Sequence, residues 1–286
     1  MQPSVFPETP LRYPGAKKKV IRRLHPFLSI EHDEYREPFV GGGSVFFGKP
    51  LSQHSWINDA DPDVAALFKA MKKYPEQLCD LVRSNPPTLA LWDDLKMSQP
   101  DDELRRGFRT LFLNRTNYSG ILRANPIGGR AQNPKYPIDC RWNPETLCLQ
   151  IMACSRWLRK TKITTWGFDK VIRHPAKGRR VLLFLDPPYY HKGNSLYQVG
   201  MKPKEHHRLA QLLSGLDPDE MKFVLTYDDC PEVRELYSGW AHLHTEKWFY
   251  STVKSTVKKR ELGHELIVTN FEVPSIGQAM NTKAEG

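Results

Sequence analysis

Asp186-Pro187-Pro188-Tyr189 places a carboxylate, two residues without a backbone N–H and an aromatic ring in four consecutive positions. It stands directly behind the apolar run Val181-Leu182-Leu183-Phe184-Leu185. Such a run reads as a buried parallel strand, and its polar end as the crevice where open α/β sheets bind ligands. Consecutive prolines force an extended path and leave carbonyls turned outward beside the acid. The product is an acceptor-rich cradle for an –NH2 group, with the Tyr189 ring available to stack on the plane that carries it. These residue types point to chemistry on an amine.

A second constellation lies near the start of the chain. Glu37-Pro38-Phe39-Val40-Gly41-Gly42-Gly43-Ser44-Val45-Phe46 follows the strand-like Glu34-Tyr35-Arg36. Glycines in that position let backbone N–H groups approach a ligand, and the pattern predicts a helix beginning at Ser44. By itself the turn suits a nucleotide, a flavin or a phosphate. The next strand pattern, Ser55-Trp56-Ile57-Asn58, ends at Asp59. This acid falls about twenty residues after the loop begins, the offset at which a carboxylate hydrogen-bonds ribose hydroxyls.

Together the two motifs resemble those of amino-group DNA methyltransferases, and within them the Dam-like, D12 class of adenine methyltransferases. The resemblance implies S-adenosylmethionine as cofactor, held by Phe39, Gly41, Gly43 and Ser44 in the loop, by Asp59 at the ribose, and bordered by Asp186. It implies Asp186, Pro187, Pro188 and Tyr189 as the catalytic set. Leu11-Arg12-Tyr13-Pro14-Gly15-Ala16-Lys17 is similar to the family's L-K-W-x-G-G-K element, which assigns Tyr13 and Lys17 to the cofactor pocket. Tyr13 replaces a tryptophan there, and Pro14 and Ala16 are departures. Gly167-Phe168-Asp169 resembles the G-D-F corner that holds the cofactor adenine, in the order Phe-Asp, which adds Phe168 and Asp169.

Leu113 to Asn125 resembles the family's recognition hairpin, with Asn-Arg, Tyr-x-Gly and Arg-x-Asn in register. It implies a double-stranded DNA partner and contacts from Arg115, Asn117, Tyr118, Ser119, Leu122 and Arg123. Tyr118 suits a wedge into the base stack, and Arg123 either reads a guanine edge or meets phosphates only. Thr116 and Ala124 stand where Dam has tyrosines. Tyr197, after the tetrapeptide, is either a second stacking face or a surface residue, and His206 and His207 read as surface residues. Thr226-Tyr227-Asp228-Asp229 reads as support for the site or as a contact to the target strand.

The elements that must position these residues are legible as seven strand-like runs near 35–39, 55–58, 162–166, 181–185, 222–227, 242–248 and 264–271. Helical patterns at 61–73, 146–159 and 203–215 lie between them. Alternation of this kind argues for a sheet covered on both faces, and the last two runs for an antiparallel hairpin. With the resemblance, the fold is expected to be α/β: a seven-stranded, Rossmann-like S-adenosylmethionine-dependent methyltransferase fold with an inserted, mostly helical target-recognition subdomain. Residues 1–62 and 146–273 are expected to form the catalytic domain, 63–145 the recognition insertion and 274–286 a frayed tail.

Composition is compatible with this picture. The 286 residues carry a net charge of +10, which favours a polyanionic partner. Basic residues gather at Lys17–Arg23, Arg105–Arg130 and Lys254–Arg260. Five scattered cysteines without metal-site spacing fit free thiols in a reducing cytoplasm, and no metal is implied. Residues 1–10 lack the apolar stretch of a signal peptide, and no run approaches the ~20 apolar residues of a membrane helix. A monomer is expected, with a complex among restriction or defence components as the alternative. Adenine N6 is favoured as the methyl acceptor because Glu-Pro-Phe-Val accompanies the Asn-Arg hairpin. Cytosine N4, RNA or a protein glutamine, and a catalytically silent DNA-binding subunit, are the competing readings.

Overall fold

A computed structural model of the chain describes residues 6–12, 17, 20–132, 135–190, 200–249 and 262–273. Tyr13, Tyr197, the Lys254–Arg260 basic run and the tail from 274 onward lie outside the described residues. The elements run α1 (Ile21–Leu28), β1 (Glu34–Glu37), β2 (His54–Asn58), α2 (Pro62–Lys73), α3 (Pro75–Ser84), α4 (Leu89–Met97), α5 (Glu103–Thr116) and α6 (Pro144–Leu158). They continue with β3 (Thr161–Thr164), α7 (Phe168–Arg173), β4 (Val181–Leu185), α8 (Pro203–Ser214), β5 (Met221–Asp228), α9 (Pro231–Tyr237), β6 (His242–Phe249) and β7 (Leu262–Thr269).

The strands form one sheet in the order β3-β2-β1-β4-β5-β7-β6. The first five strands pair in parallel, while β7 runs antiparallel to both β5 and β6. The order reverses between β1 and β4, so their carboxyl ends flank the crevice where ligands of such sheets bind. This is the seven-stranded α/β sheet anticipated for a Rossmann-like methyltransferase fold.

Side chains alternate across the sheet with the period of two that strands impose. On β4, Leu182 and Phe184 enter one core, while Val181, Leu183 and Leu185 enter the other. Residues of α2, α3, α5 and α6 belong to the first core, and residues of α8 and α9 to the second. Several helices start where the sequence supplies a proline in the first turn and a side-chain cap before it. Asp61 accepts from Asp63 N–H ahead of Pro62, and Asn143 accepts from Thr146 N–H ahead of Pro144. Proline fits there because its missing N–H has no helical partner to lose.

Two local expectations are corrected. No α-helix starts at Ser44; a three-residue 3-10 turn, Phe46–Gly48, follows the glycine loop and the chain extends at Lys49 before Pro50. Proline disfavours helical backbone in the residue before it, which leaves no room for a longer helix. His206 is buried rather than on the surface: it hydrogen-bonds Tyr227 and packs under the Tyr190 ring. His207, one residue on, is exposed.

Candidate active site

Asp186 is the first residue beyond β4, at the mouth of the crevice. Two groups hold its carboxylate by the same oxygen, Oδ1. Thr226 of β5 donates its hydroxyl at 2.7 Å, and Lys17 Nζ approaches to 2.9 Å. Lys17 also meets Glu265 Oε1 of β7 at 2.6 Å and Tyr189 OH at 3.2 Å. Tyr189 donates to that same Glu265 oxygen at 2.7 Å. Lys17, Asp186, Glu265, Tyr189 and Thr226 thus form one connected cluster.

Its electrostatics follow from burial. Lys17 is 3% exposed, a setting that by itself disfavours an ammonium. Asp186 and Glu265 outweigh that penalty and hold the amine above its ordinary pKa. The side chain that the resemblance assigned to the cofactor pocket reaches the Asp186 carboxylate at the mouth of the cleft. Its backbone is fixed from the glycine loop, where Ser44 Oγ accepts from Lys17 N–H at 3.0 Å.

A cleft runs from this cluster along the carboxyl ends of β4, β1 and β2. Glu37, Phe39, Asp59, Phe168, Asp169 and Asp186 are among its lining residues. Gly41 and Gly43 hold positive φ angles of 47° and 72°, and a Cβ on Gly43 would meet Phe47 and Phe68 at 3.0–3.1 Å. Glycine is required there by conformation and by space. Asp59 accepts from Gly41 N–H at 2.8 Å through one oxygen and from Asp61 N–H at 2.9 Å through the other. Burial pushes its carboxyl up to about 7. Phe168 packs on Phe39 at 5.6 Å, and Arg208 pairs with Asp169 at 2.7 Å.

Asn58, a buried residue that sequence reading passed over, joins the two walls of this cleft. Its amide donates to the Pro38 and Trp166 carbonyls, and its oxygen accepts from Trp166 N–H and the Thr164 hydroxyl. Glu37 is also buried. Burial, with the neighbouring Asp186 charge, lifts its carboxyl to about 8 against the Tyr35 hydroxyl that donates to it.

Asn114 to Thr116 close α5, and the chain then turns back compactly to an antiparallel bridge between Asn117 and Pro126, with backbone bonds from Tyr118 N–H to the Asn125 carbonyl and from Ile127 N–H to the Thr116 carbonyl. Tyr118 stands 58% exposed at its tip, and Ser119 occupies left-handed backbone at φ 55°. Arg123 is exposed and Leu122 is half-buried against the core. Asn117 faces inward: it is buried, accepts from Trp92 Nε1 at 2.6 Å and donates to the Ile121 and Leu122 carbonyls. Arg115 also turns to the protein, donating to the carbonyls of Arg141 and Pro10. Both brace the turn from within, while Tyr118 and Arg123 are exposed and Ser119 is half-buried. Asn114 completes the bracing by bonding Arg12 N–H and the carbonyls of Arg12 and Gly120.

Comparison with known proteins decides the family. Residues 13–252 match the family model of the D12 class N6 adenine-specific DNA methyltransferases. The chain belongs to this family. It is 26% identical over 283 residues to the type II methyltransferase M1.LlaDCHI of Lactococcus lactis subsp. cremoris, covering 91% of this chain and 94% of that one. It is 27% identical over 306 residues to the type II methyltransferase M.MjaIII of Methanocaldococcus jannaschii, covering 91% and 98%. A DNA N-6-adenine-methyltransferase of Escherichia phage P1 is 26% identical over 250 residues; the match covers 81% of this chain and 31% of that longer protein. The D12-class chain is thus an adenine-specific DNA methyltransferase. Among its described residues no helix is long and apolar enough to cross a membrane, and no group of three metal-ligating side chains assembles.

Proposed function

We propose that the protein transfers a methyl group from S-adenosylmethionine to the N6 amine of an adenine extruded from duplex DNA, at one short sequence. The observation that carries this is the placement of Asp186, braced by Thr226 and Lys17, where the tetrapeptide meets the cleft. The cleft's donor set fits S-adenosylmethionine. Asp59 retains lone pairs for ribose hydroxyls, Phe168 offers an apolar wall to the adenine with Asp169 beside it, and the acidic Glu37 and Asp186 border the methionine end. When bound, S-adenosylmethionine supplies an electrophilic methyl group carried on a sulfonium.

The chain's own residues do the rest. An exocyclic amine conjugated with its ring is a weak nucleophile. Asp186 and the Pro187 carbonyl accept hydrogen bonds from its two N–H groups, which favours a pyramidal nitrogen with a localised lone pair; once methylated, the nitrogen sheds one of these protons to Asp186 or through it to solvent. Tyr189 stacks on the base. Fixed acceptors and a fixed plane lower the barrier by positioning and by electrostatics prepared in advance. Because the amine is enclosed in the duplex, the base must first leave the stack.

Residues 63–145 serve as the recognition unit, and 1–62 with 146–273 as the catalytic domain. Tyr118, Ser119 and Arg123 face the DNA, with Tyr118 as the residue that fills the stack; Asn117 and Arg115 act from behind them. Leu122 supports the turn. Tyr13 and Tyr197 lie outside the described residues, and their parts in this reading rest on the sequence alone. The protein acts as a monomer in the cytoplasm, where its free thiols persist. Asp186→Ala tests the reading: transfer of radiolabelled methyl groups to duplex DNA falls roughly 10²–10³-fold while DNA binding in a gel-shift assay is retained. Unchanged transfer would remove Asp186 from the mechanism.

A further inference from the structure

The reversed strand β7 carries an acid that the reaction described above does not use. It lies between β5 and β6, antiparallel to β5, with Glu265 opposite Asp228. A residue near the beginning of β7 thereby arrives at the carboxyl ends of the parallel strands, beside Asp186. Glu265 is fully buried, and so are Leu266, Ile267 and Val268 that follow it. A charge in such surroundings destabilises a fold unless it is paired, and an apolar residue would close the sheet at lower cost.

The pairing is specific. Glu265 Oε1 accepts from Lys17 Nζ at 2.6 Å and from Tyr189 OH at 2.7 Å. Lys17 carries the chain of contacts on to Asp186 Oδ1 at 2.9 Å. One oxygen on β7 therefore fixes the outer end of the stacking ring and, through one ammonium, the carboxylate that receives the amine. Thr226 gives Asp186 a second anchor from β5. Resting on the adenine-methyltransferase reading, we propose that Glu265 is a positioning residue. It sets the plane of Tyr189 against the target base and the rotamer of Asp186 that accepts the N6 hydrogen.

The test uses the full-length protein, S-adenosylmethionine and methylation-free bacterial DNA, with wild type measured first. Glu265→Ala is expected to lower kcat roughly 10²-fold, the loss that a displacement of about 1 Å produces. Glu265→Gln keeps an oxygen for Tyr189 and is expected to recover at least about tenfold of that loss, while KM for DNA and Kd for S-adenosylmethionine stay within about threefold of wild type. Tyr189→Phe keeps the ring and deletes the hydroxyl. Its effect combined with Glu265→Ala is expected to fall short of the product of the two single effects, because both remove the Tyr189–Glu265 contact. Two results overturn the proposal. One is kcat within about threefold of wild type in both Glu265 variants; the other is a kcat loss matched by equal losses of DNA and cofactor affinity and a lower Tm, which marks a role in folding alone. Either result with an active wild type overturns the positioning role alone. A wild type that methylates no adenine overturns the underlying reading and this proposal with it.

Discussion

Asp59 binds protons in the physiological range because the cleft removes its carboxyl from water, which pushes it up to about 7. An ionised carboxylate accepts from ribose hydroxyls, and a bound nucleoside therefore favours the charged form. Affinity for S-adenosylmethionine is expected to fall as pH drops through 7, by about tenfold between pH 8 and pH 6 if Asp59 alone titrates. Calorimetry in buffers of different ionisation heat should show protons released on binding near pH 7, and Asp59→Asn should flatten the pH dependence. A flat profile in the wild type would place the ribose elsewhere. At this scale the tetrapeptide and the glycine loop were legible because each is a local run of unusual residues. Glu265 was not, because one acid in Leu262–Thr269 gains its meaning only when β7 is inserted beside β5. Nor was the inward turn of Asn117, since an amide on a polar loop reads equally as a brace or a contact.

Elements of this fold are tied together by buried amides as well as by packing. Asn58 couples the glycine loop to the turn after β3, and Asn114 couples the segment at Arg12 to the turn at Gly120. The second junction is tight. Gly120 holds φ 75°, and a Cβ there would lie 2.0 Å from the Arg12 carbonyl oxygen. Gly120→Ala is expected to cost about 1–3 kcal/mol in backbone strain, and more where the turn cannot move away. Thermal unfolding should show the loss, and DNA affinity should weaken with the displaced Tyr118 while S-adenosylmethionine binding persists. Equal affinity for DNA in this variant would detach the turn from recognition. Strand positions were legible to within a few residues because strands buried on both faces leave short apolar runs, as in Val181–Leu185. The helix expected at Ser44 failed because Pro50 limits the chain there, a constraint that lies beyond the glycine motif itself.

The whole molecule combines a basic surface with an acidic reaction centre. A net charge of +10 draws in a polyanion, whereas Asp186, Glu265 and Lys17 leave a carboxylate excess where an amine must arrive. The order of strands, with β7 reversed, joins these features: parallel ends build the cleft, and the antiparallel insertion brings the extra acid to its rim. Helices α2 to α5, which precede the turn that carries Tyr118, share one core with the sheet. The sequence-specific transfer that this arrangement supports can be read directly by single-molecule sequencing. Methylation-free bacterial DNA would be incubated with the protein and S-adenosylmethionine, with Asp186→Ala as the parallel control. N6-methyladenine confined to one short motif, and absent with the variant, is the predicted result; modified cytosine, or adenine methylation that survives Asp186→Ala, would contradict it.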